Sequence, residues 1–244
     1  MNCILQLRSE KPIRLPINYN HIIQGWLYHS ISETLADFLH DYGFVVGKRA
    51  FRLFCFSRLM GPYKIKGQEI VYDQNVRLII TSPLTFFLEE LVNGIMLCSS
   101  IHWGDNWVTV EKIETYHSVV SGNEIIVRCL SPVTVYSTML RLDGKKYTVY
   151  FEPKDSGYGE LITHNLCHKF QAVTGGKQKV PAGLVHVKPM HNGKMVVVKY
   201  KDIIIKGFLG KLRLSGPGEL LQTAADCGLG SKNAQGFGCV EVVR

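Results

Sequence analysis

Along this 244-residue chain the spacing of apolar residues runs twice through one order: strand, helix, strand, strand, helix, strand. That order constrains the fold more than any other feature. A strand whose apolar residues alternate buries one face, and a helix whose apolar residues recur every three or four positions buries one stripe. Strands and helices in this sequence satisfy both demands by pairing into a sheet and covering it with the helices.

In the first round Cys3, Leu5 and Leu7 share one face of an opening strand. Residues 16–31 and 33–42 read as helices, with Gly43 as the stop. Residues 51–59 read as one long strand that turns Phe51, Leu53 and Cys55 to the core and leaves Arg52, Phe54, Phe56 and Arg58 on the other face. A strand over 76–81 leads to Ser82-Pro83, an N-cap and first-turn pair for an apolar helix to about Leu97, and 106–116 closes the round as a strand. The turn Ser121-Gly122-Asn123 precedes a new strand over 124–130. It therefore divides the chain into domains 1–122 and 123–244. The second round reads as a helix over 158–172, a Gly175-Gly176 turn, strands over 184–189, 195–206 and 208–213, a helix from Gly216-Pro217-Gly218 to Cys227 with Gly228 as its stop, and a last strand over 238–243. The fold class is α+β, two tandem ferredoxin-like (RRM-like) domains.

A hydrophobic share of 46% is enough for a buried core. Lys and Arg outnumber Asp and Glu by 28 to 20, a formal charge of +8 that suits an acidic partner such as nucleic acid, or simply a basic protein. The N-terminal residues turn polar too soon for a signal peptide, and no apolar run reaches the length of a spanning helix, so a cytoplasmic protein with no membrane contact is expected. The seven cysteines are scattered, odd in number and never spaced CxxC, which argues against a disulfide framework or a cysteine zinc site; they read as small core residues.

The segment Gly228-Leu229-Gly230-Ser231-Lys232-Asn233-Ala234-Gln235-Gly236-Phe237-Gly238 sets four glycines and a lysine between a helix and the last strand. Glycines without a Cβ let backbone approach a phosphate chain, with Lys232 adding charge and Asn233 and Gln235 adding donors. The same glycines would equally let a strand pack closely against a helix. The order GxxxxGK[ST] is missing, and Asn233 stands where a GxGxxG loop has its third glycine, so nucleotide binding is unsupported.

Two glycines, a basic linker and Gly-aromatic-Gly before the terminal strand resemble the signature of the CRISPR-associated repeat-processing endoribonucleases, the Cas-six family. Leu15-Pro16-Ile17-Asn18-Tyr19-Asn20, Gln24-Gly25-Trp26-Leu27-Tyr28, Phe38-Leu39-His40-Asp41 and Phe51-Arg52-Leu53-Phe54-Cys55-Phe56-Ser57 are similar in order and spacing to that family's N-terminal half. Ser131-Pro132-Val133-Thr134-Val135 resembles the entry to its second domain. The resemblance spans nearly the whole chain and implies the tandem fold.

Cutting RNA without a metal needs a base for the 2′-hydroxyl, an acid for the departing 5′-oxygen and a donor or cation for the phosphorane. Imidazole suits the proton steps, with an ordinary pKa of about 6.5. The resemblance places the catalytic histidine at His40, where a helix C-terminus favours a cation. It places a tyrosine at Tyr28, for which a hydrogen-bonding role suits a phenol better than that of a base. Arg52 falls where the family often carries lysine. An arginine can hold phosphate but exchanges no proton, and Lys48 is the nearest substitute. Without the resemblance, His40 reads as an exposed helix-end cap and Tyr28 as a core ring. His164, Cys167 and His168 at i, i+3 and i+4 could face a metal together, but a fourth ligand is not evident. His21 and His29 are fallback acids, and Glu89-Glu90 reads as a solvated helix face.

The resemblance thus implies a metal-independent endoribonuclease that cuts CRISPR repeat RNA into guide RNAs, leaving a 2′,3′-cyclic phosphate and a 5′-hydroxyl. Tyr28, His40 and Arg52 are the catalytic candidates. Lys48, Arg49, Gly228, Gly230, Lys232, Asn233, Gln235, Gly236 and Gly238 are the RNA-binding candidates. No cofactor is expected. Other CRISPR effector subunits are candidate partners, and the protein is expected to be a monomer or homodimer. The alternatives are a non-catalytic RNA-binding subunit of an effector complex and a generic basic RNA-binding module.

Overall fold

The computed structural model describes residues 1–98, 100–141, 143–190, 192–201 and 203–243. Strand β1 (Asn2–Arg8) keeps its alternation, with Cys3, Leu5 and Leu7 all at 1% exposure or less. Helix α1 (Asn20–His29) buries Ile23 and Leu27, four residues apart, and β2 (Cys55–Phe56) and β3 (Asn75–Thr81) follow. Helix α2 (Thr85–Leu97) buries Phe87, Leu88, Leu91 and Ile95, and β4 (Asn106–Tyr116) completes the round. The sheet order is β2-β3-β1-β4, all antiparallel, with Ile101–Trp103 added at the β4 edge. Leu5 sits opposite Leu78 on one side and Ile113 on the other.

The second round repeats this plan with β5 (Glu124–Cys129), α3 (Tyr158–Thr174), β6 (His186–Pro189), β7 (Lys211–Ser215), α4 (Gly218–Cys227) and β8 (Val240–Val243). Its order, β6-β7-β5-β8, is the first sheet's order, again antiparallel. Each sheet has its own apolar core, where a fully buried Leu or Ile contributes about 1.5–3 kcal/mol. Two smaller clusters join them, one of Cys55, Ile79, Leu130 and Cys239 and one of Leu53, Ala172 and Cys227.

Several expectations are corrected. The helix expected from residue 16 starts at Asn20. Pro16 instead ends a short strand, Ile13–Pro16, that pairs with Glu69–Tyr72, itself paired with Tyr63–Lys66. Residues 33–42 are helical, but as an α-turn, Glu33–Asp37, that widens into a π-turn, Phe38–Tyr42, before Gly43 at φ +63°. The long strand over 51–59 does not exist. Leu53 takes φ +55° and breaks it, and Phe54 and Phe56 are each 1% exposed, so the rings of the expected face are core while Arg52 and Arg58 stay half-buried. Helix α2 starts three residues after Ser82, whose hydroxyl accepts from the Leu84 N–H at 3.0 Å and donates to the Leu53 carbonyl at 2.8 Å. Residues 195–206 are not one strand but a hairpin, Lys194–Tyr200 with Ile203–Leu209, and residue 202 of that range lies outside the described residues. Gly210, at φ +152°, breaks the strand expected over 208–213. A second hairpin, Tyr136–Leu140 with Lys146–Tyr150, was not anticipated. Five of the cysteines are buried as expected, but Cys98 is exposed and Cys167 half-buried.

Candidate active site

His40 sits on the π-turn that continues from the short helix after α1. The turn's closing bond runs from the Gly43 N–H to the Phe38 carbonyl at 2.7 Å, one residue farther than in an α-helix, which leaves nearby carbonyls turned outward. Arg52 takes them up. Its Nε donates to Leu39 O at 2.8 Å, Nη2 to His40 O at 2.6 Å and Nη1 to Ala50 O at 3.2 Å. A guanidinium has five N–H groups, so these three bonds leave two, beside the Tyr28 phenol. The His40 side chain is 78% exposed, and its Nδ1 lies 2.7 Å from Asp41 Oδ1.

Tyr28 projects from the last turn of α1, its ring edge-on to His40 with centroids 6.3 Å apart and edge-on to Phe54 at 5.9 Å. Burial pushes its phenol above the ordinary value, and the Arg52 guanidinium beside it offsets only part of that rise. It is therefore a neutral O–H donor at neutral pH.

These three side chains line a groove of about 1600 Å³ that runs between the two sheets' elements. Gly230, Lys232, Asn233 and Gln235 of the glycine-rich loop line it too, together with Arg49, Tyr136 and His164. The position of His40 and that of the loop are thus on the same groove, with Arg49 and Lys232 both on its lining. Lys232 is in the left-handed region at φ +64° and holds its ammonium 5.7 Å from the centre of the Tyr136 ring; burial lowers its pKa.

The loop's glycines share a packing role: a Cβ on Gly230 would lie 2.3 Å from Thr134 O, and one on Gly236 would lie 2.7 Å from the Phe56 ring. A Cβ on Gly238 would lie 2.0 Å from Leu229 O, and one on Gly228 would lie 2.7 Å from Gly238 O and 2.9 Å from Cys55 Sγ. Both glycines are buried packing positions, which is the other reading of the motif. Gly236 docks against the first sheet's side, where Asn20 Nδ2 donates to Gln235 O at 3.0 Å and Gly236 O at 3.2 Å. Asn233 is used within the loop: its Nδ2 donates to Leu229 O at 3.2 Å and Phe237 O at 3.1 Å. That leaves Lys232, half-buried, as the loop's cation. Lys48 stands at the turn of the Phe44–Val46/Arg49–Phe51 hairpin and is not part of the groove lining, whereas Arg49 is.

The other candidate side chains make local bonds. His21 and His29 line the groove, but their Nδ1 atoms bond carbonyls of their own segment, Asn18 O at 2.9 Å and Gly25 O at 2.6 Å. Glu90 is not a free solvated carboxylate, since it accepts from the Ser32 N–H at 3.0 Å and hydroxyl at 2.6 Å. His164 and His168 stack edge-on at 4.2 Å, with His168 lying on Phe51. Partial burial, His168 and Arg49 hold the His164 imidazole below its ordinary value. Among the described residues, no group of three or more His, Cys, Asp or Glu side chains is gathered in a way that could hold a metal ion.

Sequence reasoning missed Lys169. It lies on α3, 2% exposed, with its Nζ donating to Gly228 O at 2.7 Å and Gly230 O at 2.9 Å. A lysine among the apolar positions of a helix gave no signal that its head group would reach a loop 59 residues away in sequence.

Two antiparallel β-α-β-β-α-β units that share a groove lined by an imidazole, a phenol and a guanidinium define a tandem ferredoxin-like protein. Comparison with known proteins agrees. The family described as "CRISPR associated protein Cas6, C-terminal" matches residues 114–242, and "CRISPR-associated protein Cas6, N-terminal" matches residues 14–114. The chain belongs to the Cas6 family. It is 25% identical over 245 residues to a protein of Methanocaldococcus jannaschii named CRISPR-associated endoribonuclease Cas6 1, covering 98% of this chain and 92% of that protein. It is 24% identical to CRISPR-associated endoribonuclease Cas6 of Pyrococcus furiosus, covering 96% and 86%. A solved structure described as a Cas6-related gene product from Pyrococcus furiosus superposes with a TM-score of 0.86 at 21% identity, over 100% of this chain and 98% of that one, and so shares the fold.

Proposed function

We propose that this chain is a site-specific endoribonuclease that cuts CRISPR repeat RNA into guide RNAs by metal-independent acid–base chemistry. The observation that carries the reading is the placement of Tyr28, His40 and Arg52 on the same groove as Gly230 and Lys232. RNA laid along that groove meets cations and aromatic faces on the way to an imidazole.

With its Nδ1–H given to Asp41, His40 has Nε2 free to take the 2′-hydroxyl proton as the 2′-oxygen bonds to phosphorus. The bond from phosphorus to the 5′-oxygen breaks, and the imidazolium returns the proton to that oxygen, so a 2′,3′-cyclic phosphate and a 5′-hydroxyl result with protons balanced. Tyr28 donates its O–H to the reacting phosphate, and the two unused N–H groups of Arg52 stabilise the added charge on the phosphorane. The protein acts in the cytoplasm on repeat RNA, alone or beside other effector subunits; among the described residues, no helix is long and apolar enough to cross a membrane.

The test is cutting of cognate repeat RNA in excess chelator. Full activity with cyclic-phosphate ends is the expected result. Activity that vanishes and returns with a divalent ion overturns the mechanism.

A further inference from the structure

Lys169 is a buried charge that the reaction above does not use. Its side chain crosses from α3 to the underside of the glycine-rich loop, and two of its three donors are spent on Gly228 O and Gly230 O. No carboxylate pairs with it among the described residues. Burying an ammonium against dipoles alone is costly, and an apolar side chain of similar volume packs such a site more cheaply. The ammonium does what an apolar group cannot: it gathers two carbonyls of the loop's first turn, while Asn233 gathers those of Leu229 and Phe237. It also brings a positive charge to the groove lining behind the loop.

We propose that Lys169 is a positioning residue for RNA binding, its charged head fixing the Gly228–Gly230 turn so that Lys232 faces the phosphate chain. This rests on the RNA-cutting reading of the groove. Burial lowers the Lys169 ammonium to about 8, so it loses its proton within an accessible range. The Cys227 thiol of α4 and the Cys55 thiol of β2 face it and favour its charge. Beyond those thiols stand Asp226, the Met1 amine and Cys239. RNA that needs the ammonium charged must in turn raise its pKa, because binding and protonation are linked.

The experiment uses full-length protein with repeat RNA. In a His40→Ala background, which holds RNA without cutting it, Lys169→Met should weaken binding by about tenfold at neutral pH, the order expected when one donor leaves two acceptors unpaired. With His40 intact, Lys169→Met at saturating RNA should keep its rate to within about threefold, because the loss is one of binding. Lys169→Arg, which does not titrate, should restore affinity and remove the part of the affinity loss that wild type shows between about pH 7 and about pH 9. Lys232 also titrates early, but it does so in both proteins and cancels from that comparison. A measurement on unsubstituted Lys169 stands apart from any folding defect: NMR titration of its Cε in the His40→Ala protein should show the midpoint moving upward when repeat RNA is added. An unmoved midpoint, or Lys169→Met binding as tightly as its parent, overturns the role of Lys169 alone. Wild-type protein that neither binds nor cuts repeat RNA overturns both readings.

Discussion

The Arg52 guanidinium donates to the carbonyl oxygen of His40 across 2.6 Å, so the cation of the site is also the clasp of the turn that carries its imidazole. One side chain thus serves position and charge together. A lysine in this place has a single nitrogen and cannot reach three carbonyls as a planar fork does.

Arg52→Lys should therefore cut more slowly than wild type, and Arg52→Ala should lose about 10²-fold or more in rate, as expected when a positioned cation is removed from a phosphoryl transition state. The check is single-turnover cleavage alongside thermal melting. Melting should fall by only a few degrees, since the bonds to His40 O and Ala50 O are solvent-exposed.

His40→Ala should bind repeat RNA with nearly unchanged affinity and cut it about 10²- to 10⁴-fold more slowly, the usual range for a lost proton-transfer group. Filter binding and a denaturing gel separate the two effects. Equal cutting by wild type and variant would take His40 out of the reaction, and binding without cutting by wild type itself would mark the chain as a binding subunit.

Asp41→Asn keeps the size of the side chain at 2.7 Å from Nδ1 but withdraws the carboxylate that orients the ring. Because Asp41 and His40 are both largely exposed, the loss should be modest, about tenfold, and smaller at high salt. Cleavage rates at two ionic strengths are the readout.

Tyr28 makes a prediction about pH. Its folded pKa is raised by burial, so the phenol stays protonated from neutral pH up past its ordinary value. As a donor it predicts no gain in rate with rising pH over that range, and a slower Tyr28→Phe enzyme with the same profile. A rate that climbs tenfold per pH unit toward the alkaline limit, and a Tyr28→Phe variant that loses the climb, would make it a base instead.

Gly238→Ala puts a Cβ 2.0 Å from Leu229 O at φ +72° and should cost about 3 kcal/mol or more, whereas Gly122→Ala, at φ +84° with open space around it, should cost about 1 kcal/mol. Denaturant unfolding of the two variants tests whether close packing or phosphate access explains the last glycine.

The order of the sheet and helix segments was legible where a segment carries a local period, as Cys3, Leu5 and Leu7 do in β1. The break at Leu53 was not: alternation in 51–59 looked continuous, but Phe54 and Phe56 fill the first sheet's core while Leu53 and Cys55 pack against the second half, so both faces are buried. The hairpins over 63–72 and 136–150 are largely exposed and lack a strong apolar face, so nothing in their residues marked them. His40, Tyr28 and Arg52 were found through resemblance, since a lone exposed histidine at a helix end has no chemical signature of its own. Lys169 had no signal, because its importance comes from which carbonyls a fold sets beside it.

Asn20 fastens α1 to the carbonyls of Gln235 and Gly236, which ties the glycine-rich loop to the helix that carries Tyr28. The proposed grip and the proposed blade thus share one mount. Such an enzyme measures its substrate: a nucleotide inserted between the held stretch and the scissile bond should move the cut by one position along the RNA, because the strand must slide while the span of the tool stays constant.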